Sequence, residues 1–523
     1  MEYDAIVLGA GHNGLAAAVH LASKGWSVAV VEARDVAGGA VKTAELTLPG
    51  FRHDLYAMNL SMFAGSPFFA RHRDDLVAAG LELVPVANCF ANLFRDGTWL
   101  GVGTDLERTV QAISALSVDD AAAWRALVAR FGVDAPHIFA LLGSPMPSLA
   151  AAKTLWKAWR QLGSGWLADT ARLILSTPRA FLSARFQHPH VQTMMAAWGM
   201  HLDFPPDTAG GALFPYLESM ANQCFGMAIG RGGADTIIRA LVVVLQAKGG
   251  ELITGTSVTG LEMTGKRATG VRLADGRLIK ARRAVVSNIH PTRLFGSIVG
   301  PGQVPQRFSE GMARIRPGPG TMMIHLATEA LPGWAAGAEL KSFAYVHVAP
   351  DMTMMTTAFA EASAGLLPRE PVLVVGQPTA IDPSRAPDGK HVLWIQVRVV
   401  PAEIRGDAAG EIDQTDWDGV KEAYADRVLD LLETYAPGLT RLVIARRVLS
   451  PLDLERDNAN LIGGDNLAGS HHLDQNFLFR PLAGYSRYNT PIPSLYVCGA
   501  STWPGAGTGA GSGFMLAKML AGE

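Results

Sequence analysis

Three glycines, in Gly9-Ala10-Gly11-His12-Asn13-Gly14, follow the short apolar run YDAIVL at 3–8 and precede LAAAVHLASKG. The chemistry served by this spacing is the capture of a pyrophosphate. Gly9 permits a tight turn, Gly11 lets the backbone approach phosphate oxygens, and Gly14 lets helix and strand pack closely. A helix beginning there offers unpaired N–H groups and the positive end of its dipole. A second strand, at 27–31, delivers Glu32 some 18 residues beyond the last glycine, and its carboxylate can accept hydrogen bonds from ribose hydroxyls. The glycine turn alone is a weak signal. Set between strand and helix, with an acid closing the next strand, it marks a dinucleotide site.

Which dinucleotide follows from Arg34-Asp35-Val36-Ala37-Gly38-Gly39, a second diglycine returning toward the phosphates. This Glu-x5-Gly-Gly extension resembles the FAD-binding signature of the amine oxidase and phytoene desaturase superfamily. The resemblance implies FAD held by Gly9, Gly11, Gly14, Glu32, Arg34, Gly38, Gly39 and Ala40. Ala40 stands where an arginine often follows the diglycine, as in many desaturase-like members, so one flavin contact is lost and FAD binding is kept. Downstream, a helix at about 234–248 leads into alternating strands that end in Ser287-Asn288. In the family the counterpart of Val258 lies on the strand that closes over the adenine.

The C-terminal stretch LYVCGASTWPGAGTGAGSGFMLAKML runs a strand into a glycine-rich helix start, whose N–H groups can bind the flavin pyrimidine end and stabilise charge on the reduced ring. It resembles the carotenoid ketolases and the pyridine nucleotide-disulfide oxidoreductase domain-containing protein 2 group, which adds Gly499, Ala500, Thr508 and Gly509 to the expected FAD site. Where that group usually has a histidine before Pro-Gly, this chain has Trp503, read either as an apolar wall at the flavin or as a core indole. His471-His472 precedes LDQNFLFRP, a segment that the resemblance places beside the ring. Either histidine, with Tyr485, is a candidate for catalysis, and Tyr56 and Asn59 are further polar candidates. His188 and His190 have no third ligand at metal spacing, so no metal is expected.

These residues need elements to position them, and 523 residues suffice for about three domain-sized bodies. The fold class expected is α/β, with a Rossmann-type FAD-binding domain built from 1–103, 216–292 and 485–523. A mixed-sheet substrate domain occupies 293–484, and 104–215 forms a helical lid or membrane-facing region. Helix starts are legible at Asp105 and Ser117, whereas 144–190 reads as less regular. Lys153, Lys157, Arg160, Arg172, Arg179 and Arg185 face one acid, Asp169, among Trp156, Trp159 and Trp166. Such a stretch suits a solvated lid or an anionic membrane surface. A net charge of −2 provides no field for nucleic acid, and Cys89, Cys224 and Cys498 are too dispersed for a disulfide framework or a C-x-x-C redox pair. No basic leader and no apolar run near 18–20 residues is present, so the expectation is a cytoplasmic protein, with peripheral membrane contact as the second reading of the basic stretch.

The function expected is that of an oxidoreductase moving hydride from an apolar or alicyclic CH–CH group to FAD and forming a C=C bond. No second glycine fingerprint serves a nicotinamide, so oxygen or a quinone is the expected electron acceptor. The alternatives are an oxygen-dependent ketolase, an amine oxidase, or a flavin-bound interaction protein.

Overall fold

The computed structural model describes all 523 residues. Its first sheet has a parallel centre, in which Glu2–Leu8 lies between Val28–Val31 and Leu278–Ser287. Glu251–Ile253 extends it on one side and Leu495–Val497 joins it on the other. The antiparallel strands Val258–Thr264 and Arg267–Leu273 continue from the early part of Leu278–Ser287. Near-continuous apolar strands suit this placement because both faces are covered. Ala5 and Val7 pack toward the helices His12–Ser23, Thr236–Ala247 and Gly511–Ala521, while Ile6 and Leu8 join the cluster beneath the meander.

The second sheet runs in the order Val443–Leu449, Gly320–Thr328, His391–Val400, Val372–Gly376, Tyr345–Val348, Asn88–Leu93, Trp99–Gly103. The helix Trp417–Tyr435, capped by the Asp416 side chain, covers one face with Val420, Tyr424, Val428 and Leu432. The expected domain boundary at 103 is corrected here. Asn88–Leu93 and Trp99–Gly103 belong to the second sheet, where Asn88–Leu93 pairs in parallel with Tyr345–Val348. Long-range pairing decides this, and local sequence does not encode it.

The helical region contains Val118–Leu142 and Leu149–Leu175, with Ser117 and Ser148 as their N-caps. The second helix falls in the stretch expected to be less regular; its 27 residues bend at Gly163, whose φ of 81° lies in the left-handed region. Asp134 ties three helices together, accepting from the Trp166 indole at 2.7 Å and the Tyr216 hydroxyl at 2.8 Å, with Arg130 beside it. Trp166 therefore faces inward, and Arg179 is paired with Asp207 at 2.6 Å. Of the basic stretch, Lys153, Lys157 and Arg160 remain exposed, together with Trp156 and Trp159. No helix is long and apolar enough to cross a membrane.

Candidate functional site

At the C-terminal ends of the parallel strands, distant segments form one shelf. Gly9 turns the chain with φ of 93°, and the helix begins at His12, two residues before the last glycine of the motif. A Cβ at Gly14 would collide with the Gly9 carbonyl oxygen, so helix and turn approach as closely as that glycine allows. The Gly38 amide donates to Ala10 O at 3.0 Å, which lays Gly38-Gly39 against Gly11. Glu32 accepts from the Ala10 amide at 2.8 Å and the Arg34 amide at 2.9 Å. Each of its oxygens keeps lone-pair capacity for a ribose hydroxyl. The Arg34 side chain reaches Arg456 O, Ala40 packs toward the central apolar cluster, and Val258 sits part-buried at the head of its strand.

Asn288, absent from the expected site residues, lies at the centre of the shelf. Its amide donates to Leu8 O at 2.8 Å and its side chain lies against Gly11, Gly14 and Gly499. The only signal in the sequence is its place immediately after the strand ending at Ser287. Ser512 accepts from the Gly499 amide at 2.8 Å and donates to Asn13 Oδ1 at 3.0 Å, which joins the starts of the first and last helices. His12 Nε2 lies 3.0 Å from Gly507 O, and burial pushes its pKa down to about 4. Thr508 donates to Asn59 O at 3.3 Å, and Gly509 packs on Met62.

The shelf fits FAD. No side chain caps the helices His12–Ser23 and Gly511–Ala521, and neither has an acid in its first turn, so their orphan N–H groups are left for a ligand's acceptors. Gly11 and Gly39 leave the surface without side chains where a pyrophosphate must come close. The first helix would hold the phosphates, Glu32 the ribose, and the 499–509 segment the flavin end. Bound there, FAD supplies a two-electron hydride acceptor.

The expected catalytic residues divide. The His471 amide donates to Asp203 at 3.0 Å, and its Nε2 accepts from the Ala506 amide at 3.0 Å. Burial holds its pKa well below the usual range, so His471 is a neutral brace for the 505–507 turn and has no lone pair left for a substrate. His472 is one-third exposed and lies 2.8 Å from Asp203 O, beside Phe204. Tyr485 stacks edge-on to Phe308 at 4.8 Å in the cluster beneath the meander, a packing position. Trp503 is a core indole that donates to Ser144 O at 2.9 Å. A second residue without a sequence signal is Arg480. It is buried, donates to Ala500 O at 2.7 Å and Ser470 O at 2.9 Å, and so stitches the 467–470 loop to the end of the last strand.

Beyond Thr508, side chains of the second sheet pack with those of the helical region in one apolar cluster. His12, His201 and Glu218 are each part-buried. Tyr345 stacks on Trp394 at 5.6 Å, and the Trp394 indole donates to Tyr56 O at 3.1 Å. The Tyr56 hydroxyl donates to Asp457, which also takes Lys42 at 2.8 Å. His201 and His347 meet at 3.0 Å, both held neutral by burial. Arg398 is buried among carbonyls, with Nε on Met200 O at 2.9 Å, and desolvation brings its pKa down to about 10.

Comparison with known proteins agrees with this geometry. The chain is 29% identical to pyridine nucleotide-disulfide oxidoreductase domain-containing protein 2 of Rattus norvegicus, over 99% of this chain and 93% of that protein. It is 28% identical to a limonene dehydrogenase polypeptide of Castellaniella defragrans, over 99% and 94%. With the phytoene desaturase (neurosporene-forming) of Cereibacter sphaeroides it shares 25% identity, over 98% and 94%. Among solved structures, an oxidoreductase from Methanosarcina mazei superposes with a TM-score of 0.63 at 18% identity, over 98% and 99% of the two chains. Cyclohexylamine oxidase from Brevibacterium oxydans superposes with a TM-score of 0.57 at 17% identity, over 100% and 99%. The model of the flavin containing amine oxidoreductases matches residues 14–510, and the chain belongs to that family of FAD-dependent oxidoreductases.

Proposed function

We propose that the protein is a dehydrogenase of CH–CH groups, taking hydride from an apolar or alicyclic substrate carbon to FAD and leaving a C=C bond. The observation that carries this reading is one buried apolar cluster that joins Met58, next to the Asn59 whose carbonyl Thr508 reaches, with Trp198, Met200, Met323, Tyr345 and Trp394. Relatives named for dehydrogenation and desaturation support it. The work of these side chains is placement: they hold a C–H bond near 3 to 3.5 Å from the acceptor and exclude water. The shelf residues Gly11, Glu32 and Asn288 fix the cofactor against which that distance is set. Reoxidation falls to oxygen or a quinone.

Anaerobic addition of limonene, as an alicyclic hydrocarbon, and of phytoene, as a polyene, tests the reading. Bleaching of the visible flavin band with loss of two hydrogens from either is the expected result. A flavin that ignores both hydrocarbons and is bleached by cyclohexylamine instead identifies an amine oxidase.

A further inference from the structure

Of the 18 methionines in the chain, only Met1 and Met62 are exposed. Met58, four residues before Met62, is 1% exposed and packs in the large cluster with most of the others. Met62 is 48% exposed and stands in the short helix Ser61–Ala64. Its side chain nevertheless has a defined seat, on the flavin end of the shelf. A Cβ at Gly507 would collide with Met62 Sδ and Cε, and one at Gly509 would lie 3.4 Å from Met62 O. The glycine at 507 is therefore what leaves room for the sulfur. An exposed thioether in contact with a cofactor-binding turn is open both to oxidants and to that turn.

The two sides of this contact differ in stiffness. On the Met62 side, the Leu60 amide donates to Ala228 O at 2.8 Å, and Ser61 Oγ accepts from the Ala228 amide at 3.0 Å. Asn59 Oδ1 accepts from the Ser61 amide at 2.8 Å, and Leu60 and Phe63 are fully buried in the first core. On the other side, residues 505–509 contain Gly505, Gly507 and Gly509, and few bonds hold them: the Ala506 amide to His471 at 3.0 Å, Gly507 O to His12 at 3.0 Å, and Thr508 to Asn59 O at 3.3 Å. An atom added to the Met62 sulfur has no slack to enter, so the glycine turn is the part that gives way. The bond from Gly507 to His12 goes with it, and His12 begins the helix that would hold the phosphates.

We propose that Met62 is a peroxide-oxidised modification site whose sulfoxide loosens the 505–509 turn and weakens FAD binding. The source of oxidant rests on oxygen as the electron acceptor in the reading above: oxygen that takes two electrons and two protons leaves the site as hydrogen peroxide. The Met62 sulfur lone pair attacks one peroxide oxygen, the O–O bond breaks, and the departing hydroxide takes a proton to become water. Thioether and peroxide thus give sulfoxide and water, with sulfur oxidised by two electrons and peroxide reduced by two. The product is larger, polar and chiral where an apolar sulfur had rested on Gly507. Turnover that outruns removal of peroxide would in this way release the cofactor that makes it, and reduction of the sulfoxide would reverse the loss.

Hydrogen peroxide is the probe. FAD-loaded protein is treated with it, sulfoxide at Met62, Met1 and Met58 is measured by peptide mass spectrometry, and released FAD is measured by its fluorescence. Met62 is expected to oxidise about as readily as exposed Met1 while buried Met58 stays a thioether. The FAD dissociation constant should rise about five- to tenfold, the effect of losing one hydrogen bond in the turn. Methionine sulfoxide reductases A and B, which act on the two epimers, should restore it. M62L should keep its FAD through the same treatment, and M62Q, with a polar group on Gly507, should show the weaker binding without peroxide. A Met62 thioether that survives while Met1 oxidises overturns the proposal. So does an unchanged FAD affinity after Met62 is oxidised, or loss of FAD from M62L equal to that from wild type. Because the peroxide is added, a protein inert toward hydrocarbons still gives a result, and failure here leaves the dehydrogenase reading standing.

Discussion

Glu32 and Glu218 are both carboxylates on part-buried residues, and their surroundings act on them in opposite ways. Glu32 accepts two backbone amides, Ala10 and Arg34, so it shapes the glycine turn as well as offering itself to a ribose. Glu32→Ala removes an acceptor of charge-assisted bonds worth about 1.5–3 kcal/mol, which is roughly ten- to hundredfold in affinity. The expected outcome is an FAD dissociation constant weakened by that factor in fluorescence titration; an unchanged constant would remove Glu32 from the site. Glu218 has no such partners, and its folded-state pKa stands above the value for an unfolded chain. A raised carboxyl binds more protons folded than unfolded, so its contribution is fully present below about pH 4.5 and is lost as pH rises through about 7. The shift corresponds to a penalty on the order of 3 kcal/mol at higher pH. E218Q is therefore expected to match wild type in thermal midpoint near pH 4.5 and to exceed it increasingly up to pH 8. A gap that does not change with pH would mean that Glu218 titrates normally. Of these two acids only Glu32 was legible in the sequence, because its meaning lies in spacing from Gly14. Glu218 reads as one polar position on an amphipathic helix, and its protonation depends on what folds over it.

Elements announced by local chemistry are the ones that the sequence shows plainly. Asp105 and Ser117 each accept from a first-turn amide at the helix starts legible in the sequence. The His471 assignment failed for the opposite reason, since a histidine adjacent in sequence to the flavin segment is consumed by Asp203 and Ala506 from elsewhere. The helix Leu149–Leu175 was obscured by its own glycines and tryptophans, yet its N-terminal half is where the surface is most unusual. Leu149 is 80% exposed, Trp156 61% and Trp159 45%, alongside exposed Lys153, Lys157 and Arg160. Indoles and leucines with lysines between them suit a headgroup layer, and each lysine or arginine near an anionic surface adds about 1 kcal/mol within a Debye length of about 10 Å at 0.1 M salt. We propose that this half-helix docks on anionic membrane. Cosedimentation with phosphatidylserine vesicles should then be salt-sensitive. Replacing Lys153, Lys157 and Arg160 with Glu should abolish it and leave the flavin spectrum intact. Wild type that fails to sediment at low salt would make the half-helix a solvated lid.

At the scale of the molecule, the shelf is assembled from both ends of the chain and from its middle: Gly9–Gly14, Gly38-Gly39, Asn288 and Gly499–Thr508. The second sheet is also tied to an element that covers the first, because Asp54 accepts from the Ala234 amide, just before the helix Thr236–Ala247, at 2.7 Å. Arg385, fully buried beside the second sheet, pairs with Asp54 and Asp382 and donates to Gly230 O at 2.6 Å. Removing one partner of such a buried ion cluster leaves an uncompensated charge, so the second sheet does not separate cheaply from the segments at 54 and 230. A ligand bound to this shelf therefore stabilises a unit that spans the chain. At a free FAD concentration one hundred times its dissociation constant, the linkage is worth about 2.7 kcal/mol. Heating FAD-loaded and FAD-stripped protein is expected to give one cooperative transition each, the loaded one higher and rising with the logarithm of added FAD. Trp26, packed in the first core, and Trp417, packed against the second sheet, provide separate fluorescence reporters when the remaining tryptophans are held in common. Comparison of W26F with W417F should give coincident midpoints that move together with FAD. If the transition seen through Trp417 ignores FAD while that seen through Trp26 follows it, the second sheet unfolds as an independent body and the coupling through Arg385 is too weak to join them.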